Sequence, residues 1–352
     1  MHAQGYVLEA PRAPLVAKAL EIVAHTDDDV VVEVRACGLC HTDLGFANGS
    51  VAPKHALPIV LGHEITGVVV EALGPSARWI GRQVLVPAVI PCGECAFCSA
   101  GRGNACPKQK MPGNDIDGGF ATHVVVPARA LVPLDDRPAS ISLDSLSVVA
   151  DAVSTAYQAV RRSGLARGDI AFVVGAGGVG GYVAQIVRAL GGEVVVCDVQ
   201  PTRLEALAAF GVLRGVDVRE RDARDVRKEV HGVANERGIA SFRWRVFECS
   251  GTTAGQQLAF TLLSQAATLV LVGYTREPVT VRLSNLMAFD ATVRGTWGCP
   301  IEAYPEVLSL IYSGAVVVEP SIERAPMSQL NTLLDDLSHH RLSRRMVLDP
   351  RA

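Results

Sequence analysis

Short runs of apolar, β-branched residues recur through the first third of the chain and predict a β-rich region with loops. Each run is bounded by Gly or Pro, which is typical of strands that end in tight turns. The predicted strands are Val30–Val34, Ile65–Val70, Gln83–Val86 and His123–Val126.

After Asp151 the pattern changes to strands that alternate with amphipathic helices. The first predicted elements here are a helix (Ala152–Arg162), a strand (Ile170–Val174), a Gly-rich turn, a helix (Val179–Leu190) and a strand (Val194–Asp198). Further strands are predicted at Trp244–Glu248, Thr268–Val272 and Val293–Gly295. This alternation predicts a parallel, doubly wound sheet. A C-terminal tail follows, with helices at Tyr304–Ser313 and Met327–Leu337 and an apolar run at Met346–Leu348, and periodicity alone does not assign it to either part.

Composition narrows the possible classes of protein. With 352 residues, of which 49% are hydrophobic and 20% charged, the chain has enough apolar material for two domains. The net charge of −3 predicts no broad basic surface, so we expect no nucleic-acid partner. The N-terminus lacks a secretory signal pattern, so we expect a cytoplasmic protein. Ile170–Val187 carries no charge, but its five Gly residues favour a strand, a turn and a helix over a membrane span.

Four of the nine cysteines lie in one segment rich in Gly and Pro. Cys92, Cys95, Cys98 and Cys106 follow the pattern C-x2-C-x2-C-x7-C. Four thiolates at this spacing can surround one tetrahedral Zn²⁺ and leave no open position, which predicts a structural site. An iron–sulfur cluster is the alternative, because thiolate spacing does not select the metal. A disulfide framework is not expected without a secretory context.

A second set of candidate ligands is dispersed along the chain. Taken singly, Cys37 is typical of a small buried hydrophobe, the pair Cys37 and Cys40 of a redox site, and His63 of a hydrogen-bonded core histidine. Cys40, His63 and Asp151 together offer one thiolate, one imidazole and one carboxylate. Their charges balance Zn²⁺ and leave a fourth position open, as Lewis-acid catalysis requires.

The turn of the βαβ unit has the spacing of a dinucleotide-binding loop. Gly175, Gly177 and Gly180 follow a predicted strand and open a predicted helix, whose N-terminus can hold a pyrophosphate. Asp198 ends the next strand, where a carboxylate accepts hydrogen bonds from ribose hydroxyls and repels a 2′-phosphate. NAD is therefore favoured over NADP, and Arg203 either flanks the adenosine or is solvated.

These motifs, in this order, resemble those of the zinc-dependent medium-chain alcohol dehydrogenases. The resemblance extends over nearly the whole chain and includes the stretch Asp151–Tyr157. It implies an α/β fold with a GroES-like catalytic domain (residues 1–152 and 299–352, with a zinc lobe at about 91–108) and a Rossmann NAD-binding domain (residues 153–298). It also implies an NAD-dependent oxidoreductase with one catalytic and one structural zinc ion per chain, assembled as a homodimer or homotetramer.

The resemblance also implies roles at the catalytic zinc. Cys40, His63 and Asp151 match its protein ligands, and Glu64 matches a carboxylate that enters the coordination sphere during ligand exchange. Asp43 matches the carboxylate that orients the His63 ring.

Proton transfer and cofactor binding are implied in the same way. Thr42 matches the hydroxyl that takes the alcohol proton. Many family members carry a His three residues later that passes this proton to bulk water, but here Gly45 occupies the position, so another group must serve. The implied cofactor contacts are His41, Gly175, Gly177, Gly178, Val179, Gly180, Asp198, Arg203, Ser250, Gly273 and Arg345.

Four further stretches resemble one subgroup of these dehydrogenases. They are Met111–Ile116, Val149–Val153, Phe247–Thr252 and Leu283–Asp290. The subgroup acts on a cyclic, allylic hydroxyacyl-CoA in anaerobic benzoyl-CoA degradation, which implies a CoA thioester substrate and a 6-oxo product.

Three alternatives remain open on sequence grounds. The first is a zinc alcohol dehydrogenase for another small secondary or aryl alcohol. The second is a metal-free, NADPH-dependent quinone or enoyl reductase, which would not need Cys40, His63 and Asp151 together and would prefer a basic residue to Asp198. The third is a non-catalytic zinc- or nucleotide-binding protein.

Overall fold

Residues 1–352, all of which the computed structural model describes, divide into two compact units. The first unit contains Met1–Ser154, Gly298–Tyr312 and Val318–Ala352, and the second contains Thr155–Trp297 and Ser313–Val317. The sequence places the divisions after residues 152 and 298 and leaves Ser313–Val317 with the tail. The structure puts this short segment in the second unit, where the backbone N–H of Val317 donates to Gln185 Oε1 at 2.8 Å.

The regular elements are as follows. The strands are β1 (His2–Leu8), β2 (Val16–Glu21), β3 (Asp29–Gly38), β4 (Ile59–Val60), β5 (Glu64–Ala72), β6 (Gln83–Val86), β7 (His123–Pro127), β8 (Val132–Pro133), β9 (Ile170–Val174), β10 (Glu193–Asp198), β11 (Arg214–Asp217), β12 (Trp244–Glu248), β13 (Thr268–Leu271), β14 (Thr292–Gly295), β15 (Ile322–Pro326) and β16 (Arg345–Asp349). The helices are α1 (His41–Ala47), α2 (Ala96–Ser99), α3 (Ala152–Ser163), α4 (Gly178–Ala189), α5 (Pro201–Ala208), α6 (Ala223–Glu236), α7 (Thr253–Thr261), α8 (Ser284–Phe289), α9 (Tyr304–Tyr312) and α10 (Leu330–Ser338).

The first unit is built around a seven-stranded sheet with β3 near its centre. β3 pairs antiparallel with β5, β7 and β16, and its valines are buried. Because β16 pairs Val347 with Gly38 and Leu348 with Cys37, the C-terminal tail completes the sheet of the N-terminal region. This pairing settles the assignment of the tail that periodicity leaves open.

The second unit contains a six-stranded parallel sheet in the order β11-β10-β9-β12-β13-β14. Every residue of β9 is buried, as expected for a parallel strand covered on both faces. From β9 to β11 successive strands are added on one side of the sheet, and from β12 to β14 on the other, so the strand order reverses between β9 and β12. Doubly wound proteins bind ligands at such a point, at the carboxyl ends of their strands. The doubly wound fold predicted from the sequence is confirmed.

Several elements leave no clear signal in the sequence. Strand β2 is mostly exposed and shows no apolar alternation, and β11 has a single buried residue, Val216. Both strands depend on pairing with a neighbour rather than on their own hydrophobic pattern. The predicted helix Met327–Leu337 begins instead with a 3-10 turn, Met327–Gln329, before α10.

No helix combines the length and the apolar character that crossing a membrane requires. The uncharged segment Ile170–Val187 forms β9, a turn and most of α4, as its glycines predict.

Candidate active site and metal centres

The four clustered cysteines converge on one point. Cys95 is the N-cap residue of the single-turn helix α2, and Cys98 lies within that helix. Cys92 precedes the helix, and Cys106 ends the 3-10 turn Gly103–Ala105 that follows it. The Sγ–Sγ distances are 3.9 Å for Cys92 to Cys98, 3.5 Å for Cys95 to Cys98, 3.6 Å for Cys95 to Cys106 and 3.5 Å for Cys106 to Cys92. Sulfurs at the corners of a tetrahedral zinc site with bonds of about 2.3 Å lie about 3.8 Å apart. The cluster therefore fits a structural zinc ion.

The thiols of this cluster differ in acidity. The backbone N–H of Glu94 leads the contributions that lower the pKa of Cys92 to about 6. Desolvation and the neighbouring Cys95 raise the pKa of Cys98 to about 11. Thiolates this close repel one another, so full ionisation of the cluster needs a cation among them.

Cys40, His63 and Asp151 come together from three distant segments of the first unit. Their ligand atoms all lie within 4.8 Å of one another. Asp151 Oδ2 is 3.5 Å from His63 Nε2 and 3.8 Å from Cys40 Sγ. His63 Nε2 is fully buried and forms no hydrogen bond, which is rare for a buried polar atom. A thiolate, an imidazole and a carboxylate around such an atom fit a zinc ion with an open position.

A single buried carboxylate fixes two of these three ligands. Asp43, in the first turn of α1, accepts the backbone N–H of Cys40 at 2.9 Å and that of Gly62 at 3.1 Å. Its Oδ1 is also 3.2 Å from His63 Nδ1. Because an ionised carboxylate only accepts hydrogen bonds, Nδ1 carries the proton and the lone pair of Nε2 is left for a metal. The resemblance implies an orienting role for Asp43, and this role stays a prediction.

The electrostatics of the site favour a positive charge. Burial by itself lowers the pKa of His63, but Asp43, Asp151 and Cys40 outweigh it and raise the pKa well above its usual value. The ring therefore lies in strongly anionic surroundings, which attract a divalent cation.

Glu64 lies beside the ligands but outside the set. Arg345 donates from Nε to Glu64 Oε2 at 2.7 Å and from Nη2 to Oε1 at 2.6 Å, and the backbone N–H of Ala152 donates to Oε1 at 3.0 Å. The resemblance assigns Glu64 to ligand exchange and Arg345 to the cofactor phosphates, and both roles stay predictions. The sequence does not reveal the ion pair, because its partners are 281 residues apart.

The predicted proton-transfer residues occupy the start of α1. Thr42 is exposed, and its Oγ1 lies 3.7 Å from Cys40 Sγ. His41, predicted to contact the cofactor, is the exposed first residue of the helix. At Gly45, a Cβ atom would have Ser50 Oγ as its nearest neighbour, at 3.5 Å. There is ordinary space for a side chain at the position to which the resemblance assigns the relay histidine.

The loop after β9 contains glycines whose surroundings differ in how much space they leave for a side chain. Gly175 has a φ of +99°, and a Cβ there would lie 2.7 Å from the backbone N of Ser250. A Cβ at Gly180 would lie 1.8 Å from the carbonyl oxygen of Gly175, so only glycine allows α4 to pack this closely. A Cβ at Gly177 would have only Arg203 Nη1 nearby, at 4.0 Å, so the surface at this residue is open to a phosphate. Gly178 and Val179 begin α4 and direct their N–H groups outward.

The other predicted cofactor residues of the second unit follow neighbouring strands. Asp198 ends β10 and accepts the N–H of Ala176 at 2.6 Å and that of Gln200 at 2.8 Å, so it also fixes the glycine loop. Ser250 follows β12. Gly273 follows β13, where a Cβ would lie 2.3 Å from the backbone N of Gly251. His41 and Arg345 belong to the first unit instead.

Glu248 is a site residue that the sequence does not single out. It ends β12 fully buried, and its Oε1 accepts the N–H groups of Ser250 at 2.8 Å and Gly251 at 3.1 Å. Desolvation raises the pKa of its carboxyl group. The only sequence signal is an acidic residue that ends a strand directly after apolar residues, a pattern the chain also shows at Asp198.

Residues from both units match known protein families. Residues 26–136 match the alcohol dehydrogenase GroES-like domain, and residues 178–313 match the zinc-binding dehydrogenase family. An alcohol dehydrogenase of Geobacillus stearothermophilus is 28% identical over 92% of this chain and 91% of its own length. L-galactonate-5-dehydrogenase of Escherichia coli is 29% identical over 90% of each chain.

A solved structure agrees with these sequence matches. The alcohol dehydrogenase of the archaeon Aeropyrum pernix superimposes with a TM-score of 0.88 at 27% identity, covering 99% of this chain and 100% of the other. The matches include both halves of the chain, and the ligand sets of both metal centres fit zinc. The chain therefore belongs to the zinc-type medium-chain alcohol dehydrogenase family of oxidoreductases.

Proposed function

We propose that this protein oxidises a secondary alcohol to a ketone with NAD, at a zinc ion held by Cys40, His63 and Asp151. The observation that carries the proposal is the convergence of these three ligand types around the unpaired, buried Nε2 of His63. When bound, zinc supplies Lewis acidity to the hydroxyl oxygen and the nicotinamide supplies the acceptor for the hydride. The metal-free alternative gives no reason for this ligand set.

The chain's own residues prepare the reaction in distinct ways. Asp43 holds the His63 ring and the Cys40 backbone in place. Thr42 Oγ1, exposed beside Cys40, takes the proton that the alcohol loses. Gly45 provides no side chain to pass that proton on, so water or another hydroxyl completes the path.

NAD is the proposed dinucleotide, on the strength of Asp198. Its side chain is fixed by the backbone N–H groups of Ala176 and Gln200. A carboxylate fixed at this position accepts hydrogen bonds from ribose hydroxyls, and its charge disfavours a 2′-phosphate.

For the substrate we propose a cyclic, allylic hydroxyacyl-CoA, with 6-hydroxycyclohex-1-ene-1-carbonyl-CoA as the specific compound. The four stretches that resemble the corresponding dehydrogenase support this choice. Val149–Val153 contains the ligand Asp151, and Phe247–Thr252 contains the Ser250 loop. The ring carbon loses a hydride and its hydroxyl loses a proton, which gives the 6-oxo product.

A small polyhydroxylated acid or alcohol is the second candidate. The observation that favours it is the similarity over 90% of each chain to L-galactonate-5-dehydrogenase, whose name indicates oxidation of a secondary hydroxyl group. Neither candidate changes the roles given to the zinc ligands or to Asp198.

Steady-state kinetics with matched substrates separates the candidates. The panel contains the cyclic hydroxyacyl-CoA, its free acid, a linear 3-hydroxyacyl-CoA, L-galactonate and simple secondary alcohols, each with NAD and with NADP. We expect kcat/KM to be highest for the cyclic thioester with NAD. A preference for L-galactonate would select the second candidate. Turnover by a folded Cys40→Ala variant at the parent's rate would remove zinc from the reaction.

We also propose that the chain assembles as a homodimer, or as a homotetramer made of two such dimers, through the second unit. β14 is the outer strand of the six-stranded sheet, and an edge strand offers unpaired backbone groups to a second copy. Leu283 and Met287 precede it with 68% and 79% of their surface exposed. Light scattering should show a Met287→Lys variant of lower mass than the parent, and equal masses would exclude this interface.

A further inference from the structure

Asp151 differs from the other two zinc ligands in how its backbone is supported. Cys40 and His63 are both fixed by Asp43. Asp151 instead lies between a 3-10 helix, Asp144–Ala150, and α3, with φ and ψ of −134° and −67°. These angles belong to neither helix, so regular backbone hydrogen bonding does not determine where its carboxylate points.

Two buried hydroxyl groups hold the peptide carbonyls on either side of Asp151. Tyr304 Oη donates to the carbonyl oxygen of Ala150 at 2.8 Å. Ser154 Oγ lies 3.2 Å from the carbonyl oxygen of Asp151, 3.3 Å from that of Ala150 and 3.3 Å from Tyr304 Oη. On the other side, the N–H of Ala152 is held by Glu64.

The two hydroxyls differ in what they contribute. Ser154 lies in the first turn of α3 and bonds the carbonyl four residues before it, as serines commonly do within helices. Tyr304 begins α9, lies 154 residues from Ala150 in sequence and is 1% exposed. Tyr304 therefore ties the turn that carries Asp151 to a separate, well-packed helix.

We propose that Tyr304 is a positioning residue for the catalytic zinc ion: by holding the Ala150 carbonyl, it keeps Asp151 within coordination distance of Cys40 and His63. The proposal rests on the zinc site of the proposed function. Without the Tyr304 hydroxyl, the Ala150 carbonyl keeps its bonds to Ser154 and to the backbone N–H of Ala88, the latter at 3.1 Å, and the turn keeps its bond to Glu64. What it loses is the hydrogen bonding to α9. The Asp151 carboxylate then explores more orientations, and the metal leaves more easily.

The rate of zinc release tests this role without depending on turnover. The zinc-loaded protein is mixed with a chromogenic chelator, and the phase due to the catalytic ion is identified by its absence in a Cys40→Ser variant. Removal of groups that orient metal ligands typically weakens metal binding about 10- to 100-fold. We expect Tyr304→Phe to accelerate the Cys40-dependent phase by about this factor and to leave the phase of the cysteine cluster unchanged.

Tyr312→Phe is the matched control. Tyr312 ends the same helix, and its hydroxyl is buried without a hydrogen-bond partner, so its loss should alter neither phase. A purely structural role for Tyr304 would lower the melting temperature without a selective effect on the Cys40-dependent phase.

The possible outcomes distinguish the positioning role of Tyr304 from the proposed function on which it rests. If the parent shows no Cys40-dependent zinc, the proposed function fails. If that zinc is present and Tyr304→Phe releases it at the parent's rate, the positioning role is wrong and the function stands. Should Tyr304→Phe not fold, Ser154→Ala is the second test, because Ser154 Oγ lies 3.3 Å from both Tyr304 Oη and the Ala150 carbonyl oxygen that Tyr304 holds. Release of the Cys40-dependent zinc at the parent's rate would then contradict the positioning role.

Discussion

The buried ion pair between Glu64 and Arg345 gives a quantitative prediction about stability. Their side chains are 0% and 8% exposed, and the guanidinium spans both carboxylate oxygens. An Arg345→Met change leaves the carboxylate buried without its cation. Removing one partner of a buried pair typically costs about 3–5 kcal/mol, because the remaining charge stays desolvated.

This loss is large enough to measure by thermal unfolding. For domains of 150–250 residues, each kcal/mol lowers the melting temperature by about 2–4 °C, so the expected decrease is roughly 6–20 °C. Zinc is kept saturating so that metal content stays constant. The double variant Glu64→Gln, Arg345→Met removes both charges and should recover most of the loss, since a neutral pair has little desolvation to offset.

An exposed arginine provides the control for this experiment. Arg341 pairs with Asp336 at 2.7 Å, but these side chains are 48% and 29% exposed, and such pairs contribute about 1 kcal/mol or less. Arg341→Met should therefore barely change the melting temperature. If Arg345→Met and Arg341→Met have the same melting temperature, the buried pair does not stabilise the first unit.

Three further variants test separate parts of the site. Cys95→Ser should remove the structural zinc and lower thermal stability before it affects turnover, and metal analysis that finds an undiminished zinc content would contradict the four-thiolate site. Asp198→Gly should raise kcat/KM for NADP relative to NAD. Asp198→Asn removes the charge but keeps one acceptor for the glycine loop, and it should cause the same change in preference if charge alone is responsible. Gly45→His should fold, because the nearest atom to its Cβ is 3.5 Å away, and should add a rise in kcat with pH centred on about 6.5, the ordinary histidine pKa. A pH profile identical to that of the parent would show that the new ring takes no part in proton transfer.

The ligands of the cysteine cluster could be predicted because metal chemistry limits the choice of residue. The cysteine cluster is local in sequence, with its sulfurs drawn from Cys92 to Cys106, so spacing alone defines it. The glycine loop is equally local, and a Cβ atom at Gly175 or Gly180 would clash with neighbouring backbone atoms. In each case a short segment contains both the residues and the turn that brings them together.

The groups that support these ligands could not be predicted, because each of them acts across a long stretch of chain. Arg345 reaches Glu64 only because β16 pairs with β3, and Tyr304 reaches Ala150 only because α9 packs beneath the turn that carries Asp151. The sequence does not distinguish these two residues from any other buried arginine or tyrosine, because periodicity indicates burial but not the hydrogen-bond partner. Asp43 is the exception that explains the rule. It lies three residues from Cys40, and the resemblance implies its orienting role, whereas the support of Asp151 depends on where a distant helix is placed. The third ligand is therefore the one whose geometry depends most on the tertiary fold, and substitutions far from the metal should weaken it before they affect Cys40 or His63.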